Sequence, residues 1–131
     1  MFKLGADPEL FMKDVAEVFY SAVDTVGGTK VFPRALDIGD GFAVQEDNVA
    51  VEFNIPPADS KQQFITNIQR AMAVLSDEVS KFNCHFVNVS ATTEFPDFML
   101  QHPNAQEFGC DPDYNAWTGR RNPRPKAGDH R

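Results

Sequence analysis

The chain has 131 residues, 42% hydrophobic and 24% charged, which suits one globular domain with one sizeable core. It has no apolar run of roughly eighteen residues and no basic-then-apolar leader, so the expected setting is cytoplasmic, with neither membrane span nor secretory signal. The net charge of −7 is uneven: Arg120, Arg121, Arg124, Lys126 and Arg131 against Asp129 put +4 on residues 120–131 and leave −11 on residues 1–119, a body that repels nucleic acid.

The expected division is therefore one acid-rich domain over 1–119 and a basic, Pro-containing tail over 120–131. The tail is read as solvated, or as a contact for a phosphate or an acidic partner. Cys84 and Cys110 are far apart and outside any CxxC arrangement, so both are expected as reduced thiols. Together with His85 and His102 they lack the ligand spacing of a zinc site.

In chain order, Gly5-Ala6-Asp7-Pro8-Glu9-Leu10-Phe11-Met12 comes first. Asp7 and Glu9 share a face if the segment is extended, and Leu10 and Met12 take the other. Pro8 cannot donate to a ladder, which makes this an edge strand, a strand entered through a bulge, or simply a turn. Residues 15–26, rich in Val, Phe and Tyr, read as one or two short strands. Gly27-Gly28-Thr29-Lys30 follows. It is either a glycine turn or a loop whose backbone N–H groups and Lys30 approach a phosphate; P-loop spacing is absent.

Residues 45–58, Gln-Glu-Asp-Asn-Val-Ala-Val-Glu-Phe-Asn-Ile-Pro-Pro-Ala, form the most informative stretch. Read as a single strand, it puts Val49, Val51, Phe53 and Ile55 on one face and Glu46, Asn48, Ala50, Glu52 and Asn54 on the other. A solvated strand face alternates in the same way. Asn and Asp are poor strand formers, however, and a row of like charges is costly unless a cation or ligand lies over it. Hard divalent cations such as Mg²⁺ take such oxygen ligands. Pro56-Pro57 then ends the strand.

Ser60 and Gln63 make a capping box ahead of Phe64, Ile68, Met72, Leu75, Val79 and Phe82 at helical spacing, which predicts a helix from about Ser60 to Phe82. Its stripe is expected to lie on the sheet face formed by Val49, Val51 and Phe53. A strand is expected over 86–90, and a loop or short helical turn over 92–103. In the Asp- and Pro-rich segment that follows, Tyr114 and Trp117 are read as covering a site or pinning the loop.

Taken together, Gly5 to Glu9, Gly27 to Lys30, residues 45–58 and the block Gly109-Cys110-Asp111-Pro112-Asp113-Tyr114-Asn115-Ala116-Trp117 resemble the phage-encoded carboxylate-amine ligases of type 2, relatives of glutamine synthetase and glutamate-cysteine ligase. The resemblance implies an α+β fold in which a mainly antiparallel sheet curves into a half-funnel, with one long helix on its convex face. It implies ATP and Mg²⁺ (or Mn²⁺) as cofactors. The implied reaction is phosphoryl transfer to a carboxylate, then displacement of phosphate from the acyl-phosphate by an amine. By matching motifs, Asp7, Glu9, Glu46 and Glu52 correspond to the metal-holding acids, and Lys30, Asn48 and Asn54 to nucleotide or substrate contacts.

Members of that family continue into a Gly-Gly-His-any-His segment, where this sequence has Ala127-Gly128-Asp129-His130-Arg131. The expectation is therefore a ligase or its N-terminal half, completed by a second copy of the chain or by a partner carrying the remaining strands. The alternative is a non-catalytic truncated or split relative that binds a partner chain or ligand. On either reading, these residues alone are not expected to ligate at a useful rate.

Overall fold

Local sequence decides most in the long helix, α1 (Lys61–Ser80). Ser60 at its N-cap is extended and its Oγ accepts the Gln63 N–H at 3.1 Å, while the Gln63 side chain reaches back to accept the Asp59 N–H at 2.7 Å. The return bond thus ends one residue earlier than in the usual box. The helix stops at Ser80, so Phe82 lies beyond it and is 39% exposed. The stripe therefore ends at Val79. Ala71, Leu75 and Val79 are buried, with Phe64, Ile68 and Met72 packed beside them.

The computed structural model describes residues 1–87, 93–107 and 111–124. The strands are β1 (Glu9–Leu10), β2 (Met12–Asp14), β3 (Phe19–Tyr20), β4 (Arg34–Ala35), β5 (Ala43–Asp47), β6 (Ala50–Asn54) and β7 (Cys84–Phe86). Short helices α2 (Asp97–Leu100) and α3 (Pro103–Gln106) follow. The architecture is α+β, with two antiparallel sheets ordered β1-β6-β5-β4 and β3-β2-β7. The strands thus form two sheets where one continuous sheet was expected. Phe11, between β1 and β2, carries the chain from one to the other. β1 is an edge strand, the first of the three possibilities Pro8 left open, and the Pro8 carbonyl accepts the Phe53 N–H at 3.1 Å.

Residues 15–26 hold one short strand, β3, within the one or two expected, and Asp14 Oδ1 accepts the N–H groups of Ala16 and Val18 and closes a turn before it. Two strand expectations change. The strand expected over 86–90 lies earlier, at Cys84–Phe86; residues 88–92 fall outside the described part. The largest change is at 45–58, which is a hairpin. Asn48 turns the chain with φ of +58°, a conformation Asn tolerates, and its Oδ1 accepts the Val49 N–H at 3.0 Å.

The hairpin register pairs Val44 with Phe53, Gln45 with Glu52, Glu46 with Val51 and Asp47 with Ala50. Val44, Val51 and Phe53 enter the main core with Met12, Leu75 and Val79. Val49 does not join them. At the turn it packs in a second cluster with Phe95 and Ala105, so only Val51 and Phe53 of the expected triplet share a core with α1. Among the described residues, no helix is long and apolar enough to cross a membrane.

Candidate metal centre

Residues directly opposite each other in an antiparallel pair point to the same side. Glu52 on β6 lies opposite Glu9 on one flank and Gln45 on the other, and Asp47 is two residues along from Gln45. Three strands therefore deliver carboxylates to the face turned away from Val51 and Phe53. One oxygen from each of Glu9, Asp47 and Glu52 lies within 4.8 Å of the others. Asn54, opposite Ala43, is on the same face one step further along β6. Asp7, exposed and two residues before Glu9, adds its field to Glu9 from the sheet edge.

Glu9 is exposed at the sheet edge, yet partial desolvation of its carboxyl raises its pKa, and the charge of Asp47 raises it further. Burial is also the leading cause of a raised pKa at Glu52, which is 8% exposed. Gln45 opposes that rise by donating Nε2–H to Glu52 Oε2 at 2.9 Å. Lys30 opposes it at both glutamates, with its Nζ 3.5 Å from Asp47 Oδ2. The cluster is thus under electrostatic load that a cation would relieve.

Glu46 is not part of it. The turn at Asn48 splits the strand on which parity had joined Glu46 to Glu52, and Glu46 sits opposite Val51 on the other face. Its carboxylate instead accepts the backbone N–H groups of Asp24 at 3.0 Å and of Thr25 and Gly27 at 2.8 Å. Of the Gly27–Lys30 loop, the Gly27 N–H is thus engaged by Glu46. Gly28 is needed for close approach as well as for its φ of +80°: a Cβ there would meet the Val44 carbonyl oxygen at 2.3 Å and the Arg34 nitrogen at 2.7 Å.

A cleft of about 220 Å³ is lined in part by Gly28, Lys30, Glu46, Asp47, Asn48 and Glu107; of the three clustered acids only Asp47 lines it. Asn48 Nδ2 donates to the Glu107 carbonyl at 2.8 Å across its rim. The cleft is smaller than the roughly 300–1,000 Å³ of ordinary ligand pockets.

Asp47 and Gln45 are the site residues that sequence reasoning missed. A signal was present: residues 45–55 are too long for a typical strand of about five to six residues, and Asp47-Asn48 is turn chemistry in its middle. Elsewhere, Cys84 is buried, His85 faces Glu17 at 3.3 Å and His102 faces Asp24 at 3.6 Å; Cys110 is outside the described part. Residues 111–124 form a small hairpin of their own, with Asn115 N–H on the Arg120 carbonyl at 2.8 Å and Asp111 paired with Arg121 and Arg124. Trp117 is 96% exposed there, so it neither covers a site nor pins the loop.

Comparison of the chain with protein-family models, with curated proteins and with solved structures finds no match.

Proposed function

We propose that the chain holds a divalent cation, Mg²⁺ or Mn²⁺, through Glu9, Asp47 and Glu52, and serves ATP-dependent formation of an amide bond between a carboxylate and an amine. The observation that carries this reading is the convergence of three carboxylates from three strands within 4.8 Å on a face separate from the main core. The donor set fits a hard cation: three oxygen ligands, with burial and mutual repulsion raising the pKa of Glu9 and Glu52. A cation bound there supplies charge neutralisation at phosphate oxygens.

The chain's own residues contribute position. Lys30 places an ammonium at the junction of the acids and the cleft, suited to a phosphate or a substrate carboxylate. Asn48 on the rim and Asn54 on the acid face are the amides for nucleotide or substrate contact, and Asp7 is the acid at the edge. Half-funnel curvature of the sheets belongs to the same proposal.

The second reading, a portion completed by another copy or by a partner chain, is favoured by two observations. The cleft is smaller than ordinary nucleotide-sized pockets, and the Gly27 N–H of the glycine loop is engaged by Glu46. One experiment separates the readings: the purified chain is titrated with Mn²⁺ by electron paramagnetic resonance, assayed for ATP hydrolysis with mixed amino acids and peptides as acceptors, and weighed in solution. The expected result is Mn²⁺ binding that Glu52→Gln weakens, with no ATP turnover by a monomer. A monomer whose ATP turnover depends on Glu52 would show that this chain suffices, and absence of Mn²⁺ binding would remove the cation reading altogether.

A further inference from the structure

We propose that Gln45 is a positioning residue for the cation site, acting through Glu52, an inference that rests on the cation reading above. Gln45 is 4% exposed and lies directly across the hairpin from Glu52, so both side chains rise from a shared register position into a buried setting. Its Nε2 donates to Glu52 Oε2 at 2.9 Å. The last torsion of a glutamate is broad and roughly two-fold, so an unrestrained carboxylate spreads its oxygens over many orientations. A donor fixed on one oxygen removes that freedom and leaves the second oxygen in a defined place.

The chemistry of the donor matters. A Lys or Arg in this position would hold Glu52 equally well but would cancel charge that attracts the cation, whereas a neutral amide fixes the orientation and leaves the full charge of the three acids. The cluster already has one cation at its rim, since Lys30 reaches Asp47 from an exposed loop. Gln45 instead acts from the buried side. Partners that orient a metal-ligating carboxylate are typically worth about 10–100-fold in metal affinity.

The test compares Mn²⁺ affinity of the wild-type chain, Gln45→Met and Glu52→Gln by electron paramagnetic resonance, with folding of each followed by circular dichroism. Gln45→Met keeps the length of the side chain and removes the donor. It is expected to stay folded and to bind Mn²⁺ about 10–100-fold more weakly. A second measurement needs no variant: the side-chain amide resonances of Gln45 in the ¹⁵N-labelled wild type should shift on Mg²⁺ titration along the same saturation curve as the site. If the wild type binds, Glu52→Gln weakens binding and Gln45→Met binds as the wild type does, the inference is overturned while the cation reading stands. Gln45 amide resonances indifferent to saturating Mg²⁺ overturn it as well. A wild type that binds no Mn²⁺ overturns both.

Discussion

The two faces of the β5–β6 hairpin are built from one alternating sequence and do opposite things. On one, Val44, Val51 and Phe53 are almost fully buried against Met12 and Leu75 and hold the fold together. On the other, Asp47 and Glu52 join Glu9 in an arrangement where desolvation and mutual repulsion raise the pKa of both glutamates, only partly offset by Lys30. Glu46 makes the contrast sharper. It is an acid from the same stretch, yet three backbone N–H groups satisfy its carboxylate, whereas Glu52 has the single donor Gln45 and a raised pKa. An acidic side chain in a sheet therefore acquires a role from the face it occupies and the donors that meet it.

The largest expected effect lies on the apolar face. Leu75 is fully buried, and Leu75→Ala should lower stability by about 2–5 kcal/mol in chemical denaturation without changing cation affinity. A change in Mn²⁺ affinity as large as the change in stability would mean that the two faces are not separable. Next, Glu46→Ala removes a charged acceptor from three amides, and the loss should be at least the roughly 1.5–3 kcal/mol of a single hydrogen bond to a charged group. Retained Mn²⁺ binding in that variant would place Glu46 outside the site, whereas loss of binding in a folded protein would return it to the ligands.

Gly28→Ala should cost about 1–3 kcal/mol, since φ of +80° is strained for alanine before the contacts with Val44 and Arg34 are counted. A variant as stable as the wild type would show that the glycine loop does not press on β5 as described.

The smallest effect is in the pH dependence. Glu9 and Glu52 have folded-state pKa values raised above the ordinary 4.5, so their contribution to stability is fully present below about 4.5 and is lost as pH rises through the raised values. Without a cation, the wild type should therefore lose more stability over that rise than Glu52→Gln does, and Mg²⁺ should flatten the difference. Identical pH profiles for the two proteins would remove the electrostatic load from the account.

The parts of this fold that short-range chemistry determines could be read from the sequence. Ser60 and Gln63 announce the helix because a cap is a contact between residues three apart, and Pro8, lacking a donor, left an edge strand, a bulge or a turn, of which the structure has the edge. Alternation put Glu9 and Glu52 each on a face of its own segment, but only the family resemblance implied that the two strands lie side by side. What was not legible depends on a single residue. Asn48 reverses the chain within an unbroken alternating pattern, which moves Glu46 to the opposite face, brings in Asp47, and sends Val49 to a different cluster. Alternation sets faces only between turns, so one unrecognised turn moved one of the four expected acids, Glu46, off the site face and put Asp47 there instead.

The central claim is that the acid face awaits a cation, and the most direct measurement is the melting temperature of the purified chain with and without millimolar Mg²⁺, for the wild type and for Glu52→Gln. Binding to the native state alone adds RT ln(1 + [L]/Kd), about 2.7 kcal/mol at a hundredfold excess over Kd. The account predicts a clear rise for the wild type and a much smaller one for Glu52→Gln. Equal melting temperatures with and without Mg²⁺ in the wild type would contradict it.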